Sequence, residues 1–228
     1  MQTLDMQLRL LLDRIAAAEQ RFQRRSGSVR LLAVSKTRPP GDIELVYRLG
    51  QRDFGENYLQ EALPKIRMLT GLSGVQWHFI GRIQSNKTGD IAEAFDWVHS
   101  VDRLKIAQRL NEQRPADRPP LNICLQINLE DELSKGGASP AEAAQLAAAI
   151  AELPRLKLRG LMCIPEEHEN FDAQRRVFAR LRRLQDELNQ QGRALDTLSM
   201  GMSGDLEAAI AEGSTLVRVG TAIFGPRP

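Results

Sequence analysis

Apolar residues recur along the N-terminal segment at steps of three and four, at Leu4, Leu8, Leu11, Ile15, Ala18 and Phe22. That period predicts a long helix with one buried face, ending near Arg24-Arg25-Ser26-Gly27. The pattern then changes to short apolar, β-branched runs alternating with helical periods. Eight runs read as strands: 30–35, 52–57, 75–81, 97–102, 121–129, 156–164, 197–200 and 214–220. Helical patterns such as DIELVYRLG, YLQEALPKIRML and PAEAAQLAAAIAEL fill the gaps, with prolines and glycines at their boundaries.

Near-continuous apolar strands joined by helices imply a parallel sheet covered on both faces, because each crossover packs back on it. Eight repeats of the unit favour an α/β architecture, a closed (β/α)8 barrel of the TIM type with the leading helix as an addition. The competing open doubly wound sheet carries a glycine-rich first turn, whereas here that turn reads Lys-Thr-Arg-Pro-Pro. No Ser/Gly-rich linker divides the chain, so residues 1–228 are expected to form a single barrel domain. Two longer loops, 130–140 and 165–170, are candidate lids or rims.

Composition narrows the partners. Hydrophobic residues at 42% and charged residues at 26% describe an ordinary globular chain. A net charge of +2, from 31 basic and 29 acidic residues, offers no field for nucleic acid. The leading helix carries acids and arginines throughout, unlike a signal peptide, and no later stretch has the apolar length of a membrane span. A cytoplasmic protein without membrane contacts is expected. Cys124 and Cys163 lie in apolar runs and read as buried thiols rather than a disulfide. His78, His99 and His168 fall on separate elements, with neither metal-site spacing nor a carboxylate to make one a base, and read as core or surface residues. The arginines of QRRVFARLRRLQDEL read as the solvated face of a helix buried through Val177, Phe178, Leu181, Leu184 and Leu188.

In a barrel of this kind, chemistry belongs at the C-terminal ends of the strands. Lys36 falls there just past the first strand, Asn57 closes the second, and Ser203 and Thr221 follow the seventh and eighth. SMGMSGDLEAAIAEG makes a Gly/Ser-rich turn opening a helix, and VRVGTAIFG presents Gly220 and Thr221. Exposed amides at such turns attract anions, and barrels often place phosphate at these last two loops. Plainer readings exist: Ser203 as a helix N-cap, Gly220 as a strand terminator, Thr221 as a cap, Arg218 in an ion pair within the rim. A phosphate cradle facing one lysine suits pyridoxal 5′-phosphate (PLP), whose aldehyde condenses with an amine while its phosphate anchors the far end. Arg38 and Arg218 are cations placed to lower the pKa of that amine. A barrel enzyme forming a Schiff base with a phosphorylated metabolite uses the same residue types.

Six colinear segments carry a resemblance: AVSKT (33–37), FGENYLQE (54–61), WHFIGRIQSNK (77–87), RGLMCIP (159–165), LSMGMSGDLEAAI (198–210) and VRVGTAIFG (217–225). Their wording is similar to that of the pyridoxal phosphate homeostasis family, over essentially the whole chain. The resemblance implies that Lys36 forms the internal aldimine of PLP and that Ser203, Gly220 and Thr221 hold its phosphate. It implies that Asn57 and Met200 border the cofactor. The fold resembles the barrel domain of alanine racemases, in which an arginine matched here by Arg218 faces the pyridine nitrogen. Three features depart from the racemases: the chain stops at Pro228, so no second domain supplying a tyrosine base is expected; Lys135 stands where they have an arginine; Met162 stands where they stack a histidine. Within the homeostasis family, Arg82 replaces the usual proline or histidine before QSNK, a change at the rim. The implied function is a non-catalytic, monomeric carrier of PLP in vitamin B6 homeostasis, supplying PLP-dependent apoenzymes. A PLP-dependent amino-acid racemase or lyase is the alternative.

Overall fold

The computed structural model describes residues 3–130 and 136–226. Thr3 caps α1 (Leu4–Arg21), whose buried side comprises Leu8, Leu11, Ile15, Ala18 and Glu19, the stripe that the apolar period predicts with one carboxylate added. Beyond it, eight strands follow: β1 (Arg30–Val34), β2 (Asp53–Glu56), β3 (Gln76–Phe79), β4 (Trp97–Val101), β5 (Leu121–Gln126), β6 (Leu156–Met162), β7 (Thr197–Ser199) and β8 (Leu216–Val219). All neighbours pair in parallel, and β8 closes on β1 with Arg30 opposite Leu216 and Leu32 opposite Arg218. The result is the closed barrel expected from the repeats.

Between the strands run α2 (Pro40–Arg48), α3 (Leu59–Met68), α4 (Thr88–Ala94), α5 (Leu104–Gln113), α6 (Ala143–Ala151), α7 (Phe171–Gln190) and α8 (Leu206–Ala211). A one-turn helix, α9 (Thr221–Phe224), follows β8. Pro39 and Pro40 open α2, where a fixed φ and a missing N–H cost nothing. Several strands are shorter than their apolar runs. β5 stops at Gln126 because Ile127 leaves the ladder to bridge Ala138, and its N–H reaches back to the Met162 carbonyl.

The main core fills the layer between strands and helices, while two small clusters lie apart from it, one of Leu32, Ile80 and Leu216 and one of Trp97, Cys124 and Met162. Parallel barrels pack their interior with side chains from alternate positions of each strand, and these two clusters occupy that interior. Both cysteines are buried free thiols, and burial pushes each up to about 12, which leaves them inert. Two arginines of α7 depart from the solvated-face expectation: Arg175 and Arg182 both pair with Glu212, a buried carboxylate just past α8. No described helix is long and apolar enough to cross a membrane.

Candidate functional site

A period of two along each strand decides which side chains climb the inside of the barrel. On β1 the row is Leu32, Val34 and then Lys36; on β2 it is Asp53, Gly55 and then Asn57; on β8 it is Leu216, Arg218 and then Gly220. All three rows end at one cavity of about 690 Å3 on the C-terminal face, lined by Lys36, Asn57, Ser203, Arg218, Gly220 and Thr221, among others. Six of the seven residues singled out in the sequence therefore converge. Met200 does not reach the cavity wall: it is fully buried in the main core, and Met202 lines the cavity instead.

The turn that presents Lys36 is held on both sides. The Ser35 hydroxyl donates to Glu56 Oε1 at 2.7 Å, and Lys65 Nζ donates to the Ser35 carbonyl at 2.9 Å and to both Glu56 oxygens. On the other side the Thr37 N–H donates to Glu61 Oε2 at 3.0 Å, with Thr37 at φ 64°, a left-handed conformation that a β-branched residue rarely adopts. Such strain persists only where neighbours over-determine it, and it gathers at functional positions. Glu56, Glu61 and Lys65 are the supports that the sequence did not reveal as such. Glu56 and Lys65 form a buried pair, and burial raises the Glu56 carboxyl while Lys65 and the Ser35 hydroxyl draw it back. Arg38 turns the other way, donating to the Gly225 and Pro226 carbonyls.

Opposite Lys36 lies a turn built for close approach. Gly201, at φ 98°, swings the chain out of β7; a Cβ there would lie 2.6 Å from that of Ala209. Met202, Ser203, Gly204 and Asp205 then face the cavity. The N-cap of α8 is Asp205 rather than Ser203, because the helix begins only at Leu206, which frees Ser203 from the plainer role. Burial raises the Asp205 carboxyl, opposed by the Met202 N–H that donates to it. Beside this turn, Thr221 opens α9, whose first N–H groups have no intrahelical acceptor.

Arg218 is buried at the cavity floor. Its guanidinium donates to the Ser199 carbonyl, to Ser199 Oγ at 2.9 Å and to the Cys163 carbonyl at 2.8 Å, so hydroxyl and carbonyl oxygens, not an ion pair, hold it. Burial pulls its pKa below the ordinary guanidinium value, yet a guanidinium stays charged in proteins. Two buried oxygens near the cavity, Asn57 Oδ1 and Thr37 Oγ1, have no hydrogen-bond partner among the described residues. An unsatisfied buried acceptor costs roughly 1–3 kcal/mol, which a donor on a bound molecule would relieve.

The far wall comes from the 165–170 loop through Pro165, Glu166, Glu167 and His168. Glu130 clasps it, accepting from the Glu166 N–H at 2.7 Å and contacting His168 Nε2 at 2.8 Å, so Glu130 braces the 165–170 rim from the side of β5. Contrary to the expectation that the histidines lack a carboxylate, His168 has Glu130 from the loop past β5 and His78 has Asp53 of β2 at 2.9 Å, both distant in sequence. Met162 is buried inside the barrel with Trp97 and Cys124, away from the cavity wall. Lys135 lies outside the described residues. Arg82 lines a smaller neighbouring cavity with Asn57, Gln84 and Lys87.

A parallel barrel whose lysine, arginine and anion-ready turns meet at one mouth belongs to a recognisable class: the family described as alanine racemase, N-terminal domain, matches residues 10–228. Within that class, the chain belongs to the pyridoxal phosphate homeostasis protein family. It is 59% identical to the pyridoxal phosphate homeostasis protein of Pseudomonas aeruginosa over 214 residues, covering 94% of this chain and 91% of that one. Among solved structures it is similar to PipY of Synechococcus elongatus with PLP bound, at TM-score 0.81 and 39% identity, covering 92% of this chain and all of that one. The fold also matches alanine racemase from Corynebacterium glutamicum, at TM-score 0.67 and 17% identity, with 95% of this chain laid over 61% of that one.

Proposed function

We propose that the barrel holds pyridoxal 5′-phosphate at its C-terminal mouth and serves as a cytoplasmic, monomeric carrier that supplies the coenzyme to apoenzymes. When bound, the coenzyme supplies an aldehyde that condenses reversibly with an amine. Lys36 provides that amine, held at the mouth by the Ser35 and Thr37 anchors. Ser203, Gly220 and Thr221 receive the phosphate through hydroxyl and backbone donors at the turns after β7 and β8. Asn57 offers its unpartnered oxygen to a donor on the ring. Arg218, a permanent cation at the floor, opposes protonation of the ring nitrogen and so weakens the ring as an electron sink. That effect favours storage of the coenzyme over carbanion chemistry, and the homeostasis names of the relatives support the same reading.

The observation carrying the proposal is the convergence of Lys36, Arg218 and the two anion-ready turns on one cavity with an orphaned Asn57 oxygen. Titrating coenzyme-free protein with PLP should produce a visible absorbance band that Lys36→Ala lacks, and the loaded protein should restore activity to a PLP-dependent apoenzyme. Incubation with L-alanine should give no D-alanine; turnover there would establish the racemase alternative.

A further inference from the structure

Parallel barrels are filled mostly by branched aliphatic side chains, but this interior carries a continuous polar line. It starts at Asp53, at the N-terminal end of β2, whose Oδ1 lies 2.9 Å from His78 Nε2. His78 Nδ1 lies 2.9 Å from His99 Nε2, and His99 Nδ1 lies 2.8 Å from Ser199 Oγ. Ser199 Oγ in turn receives Arg218 at 2.9 Å. His78, His99 and Ser199 are wholly buried, so the line runs from the barrel's bottom to the cavity floor without solvent.

We propose that Asp53, His78, His99 and Ser199 are positioning residues that hold Arg218 in place through a one-directional hydrogen-bond chain, with both imidazoles neutral and protonated at Nε2. The chemistry of the two ends dictates the direction. A guanidinium only donates, so Ser199 Oγ accepts from Arg218 and keeps its own proton free to give to His99 Nδ1. His99 then carries its proton on Nε2 and donates to His78 Nδ1. His78 likewise carries its proton on Nε2 and donates to Asp53, which as a carboxylate only accepts. Each donor meets one acceptor, and no imidazole is left needing a charge.

The surroundings agree. The groups facing His78 are Asp53 on β2, Arg30 on β1, Asp96 before β4 and His99 on β4; those facing His99 are His78, Arg218 and Arg30. Burial lowers both imidazoles below their ordinary value, His99 well below, against the pull of Asp53 on His78. Burial raises the Asp53 carboxyl, but the His78 bond and Arg30 outweigh it and hold the group low, and therefore ionised. Trp97 stacks on His78 at 5.4 Å and 8°, and Arg30 and Arg159 cover the Trp97 ring at 5.1 and 4.9 Å, sealing the bottom. At the other end, among the described residues, the three bonds of Arg218 leave its Nε–H and one Nη2–H as the donors available to a ligand acceptor.

The role toward a ligand rests on the proposed function, but the tautomers are read without one. In long-range 1H–15N correlation spectra of the full, coenzyme-free chain, His78 and His99 should both show the neutral Nε2–H pattern from about pH 6 to about pH 8. An Nδ1–H tautomer or an imidazolium at either position overturns the proposal. Ser199→Ala should leave His99 protonated on Nε2, pinned from Asp53 through His78, yet weaken PLP binding about tenfold by loosening Arg218, with Ser199→Thr restoring the affinity. Unchanged affinity in Ser199→Ala also overturns it. If Ser199→Ala fails to fold, the tautomers of the unmodified chain decide. Should the chain not bind PLP at all, the proposed function falls, while the spectra still decide on the hydrogen-bond chain.

Discussion

Lys36 was legible from its place alone: an apolar strand ending in a lysine, followed by two prolines, delivers an amine to a barrel mouth. What holds it was not legible. Lys65 and Glu56 sit on α3 and β2, and only the barrel's closure brings them under Ser35. A buried pair that loses one partner leaves an uncompensated charge, so Lys65→Met should cost roughly 3–5 kcal/mol in chemical denaturation. Part of the loss should be local, with the coenzyme band weakened in the fraction that stays folded. A second close contact acts on the same wall. At Gly81 a Cβ would lie 2.0 Å from the Asn57 carbonyl oxygen, so Gly81→Ala must push Asn57 off its position. Overpacking of this kind costs about 1–3 kcal/mol, and here PLP affinity should fall with stability; a denaturation curve and a coenzyme titration on the same variant check both. Met200 shows the limit of reading residues by resemblance. The period of two sends it to the helix-facing side of β7, where it packs into the core, and Met202 takes the cavity wall.

At the scale of elements, the leading helix does more than cover apolar surface. α1 packs against α2, α8 and α9, and Arg14 forms a two-pronged pair with Glu207 while its Nη1 donates to the Ser203 carbonyl at 3.0 Å. The helix thereby steadies the turn assigned to phosphate. Arg14 and Glu207 are about a third exposed, so the pair itself contributes less than about 1 kcal/mol. Arg14→Ala should therefore leave the denaturation midpoint nearly unchanged yet speed coenzyme release, measured by dilution into an apoenzyme acceptor. Release no faster than that of the unmodified chain would leave α1 without influence on the site. The apolar periods identified this helix and all eight strands because they record burial directly. The histidine chain escaped notice for the opposite reason. His78 and His99 meet because the register sets His78 beside Trp97 and carries His99 one pleat further up β4, and register between strands is not written in either strand alone.

The molecule as a whole should respond to acid through its interior. His78 and His99 are neutral when folded, held below their ordinary value, whereas in the unfolded chain they take up protons near about pH 6.5. Between that value and the lower folded values the unfolded state binds more protons, so stability falls as pH falls, by about 1.4 kcal/mol per pH unit for each imidazole. Asp53, Asp196 and Glu207, whose folded values are depressed, contribute stability that is lost in a separate window, below about pH 4. Urea midpoints between about pH 7.5 and about pH 5.5 should show the first slope, and a chain with both histidines replaced by glutamine should flatten it.

In the proposed function Lys36 is the coenzyme's point of attachment, in a barrel whose interior keeps Arg218 in place. Borohydride reduction of the PLP-loaded protein, followed by peptide mass mapping, tests it most directly. A stable pyridoxyl-phosphate increment is expected on the peptide containing Lys36, with loss of the visible band. An increment confined to another lysine, or no increment on a protein that shows the band, would contradict it.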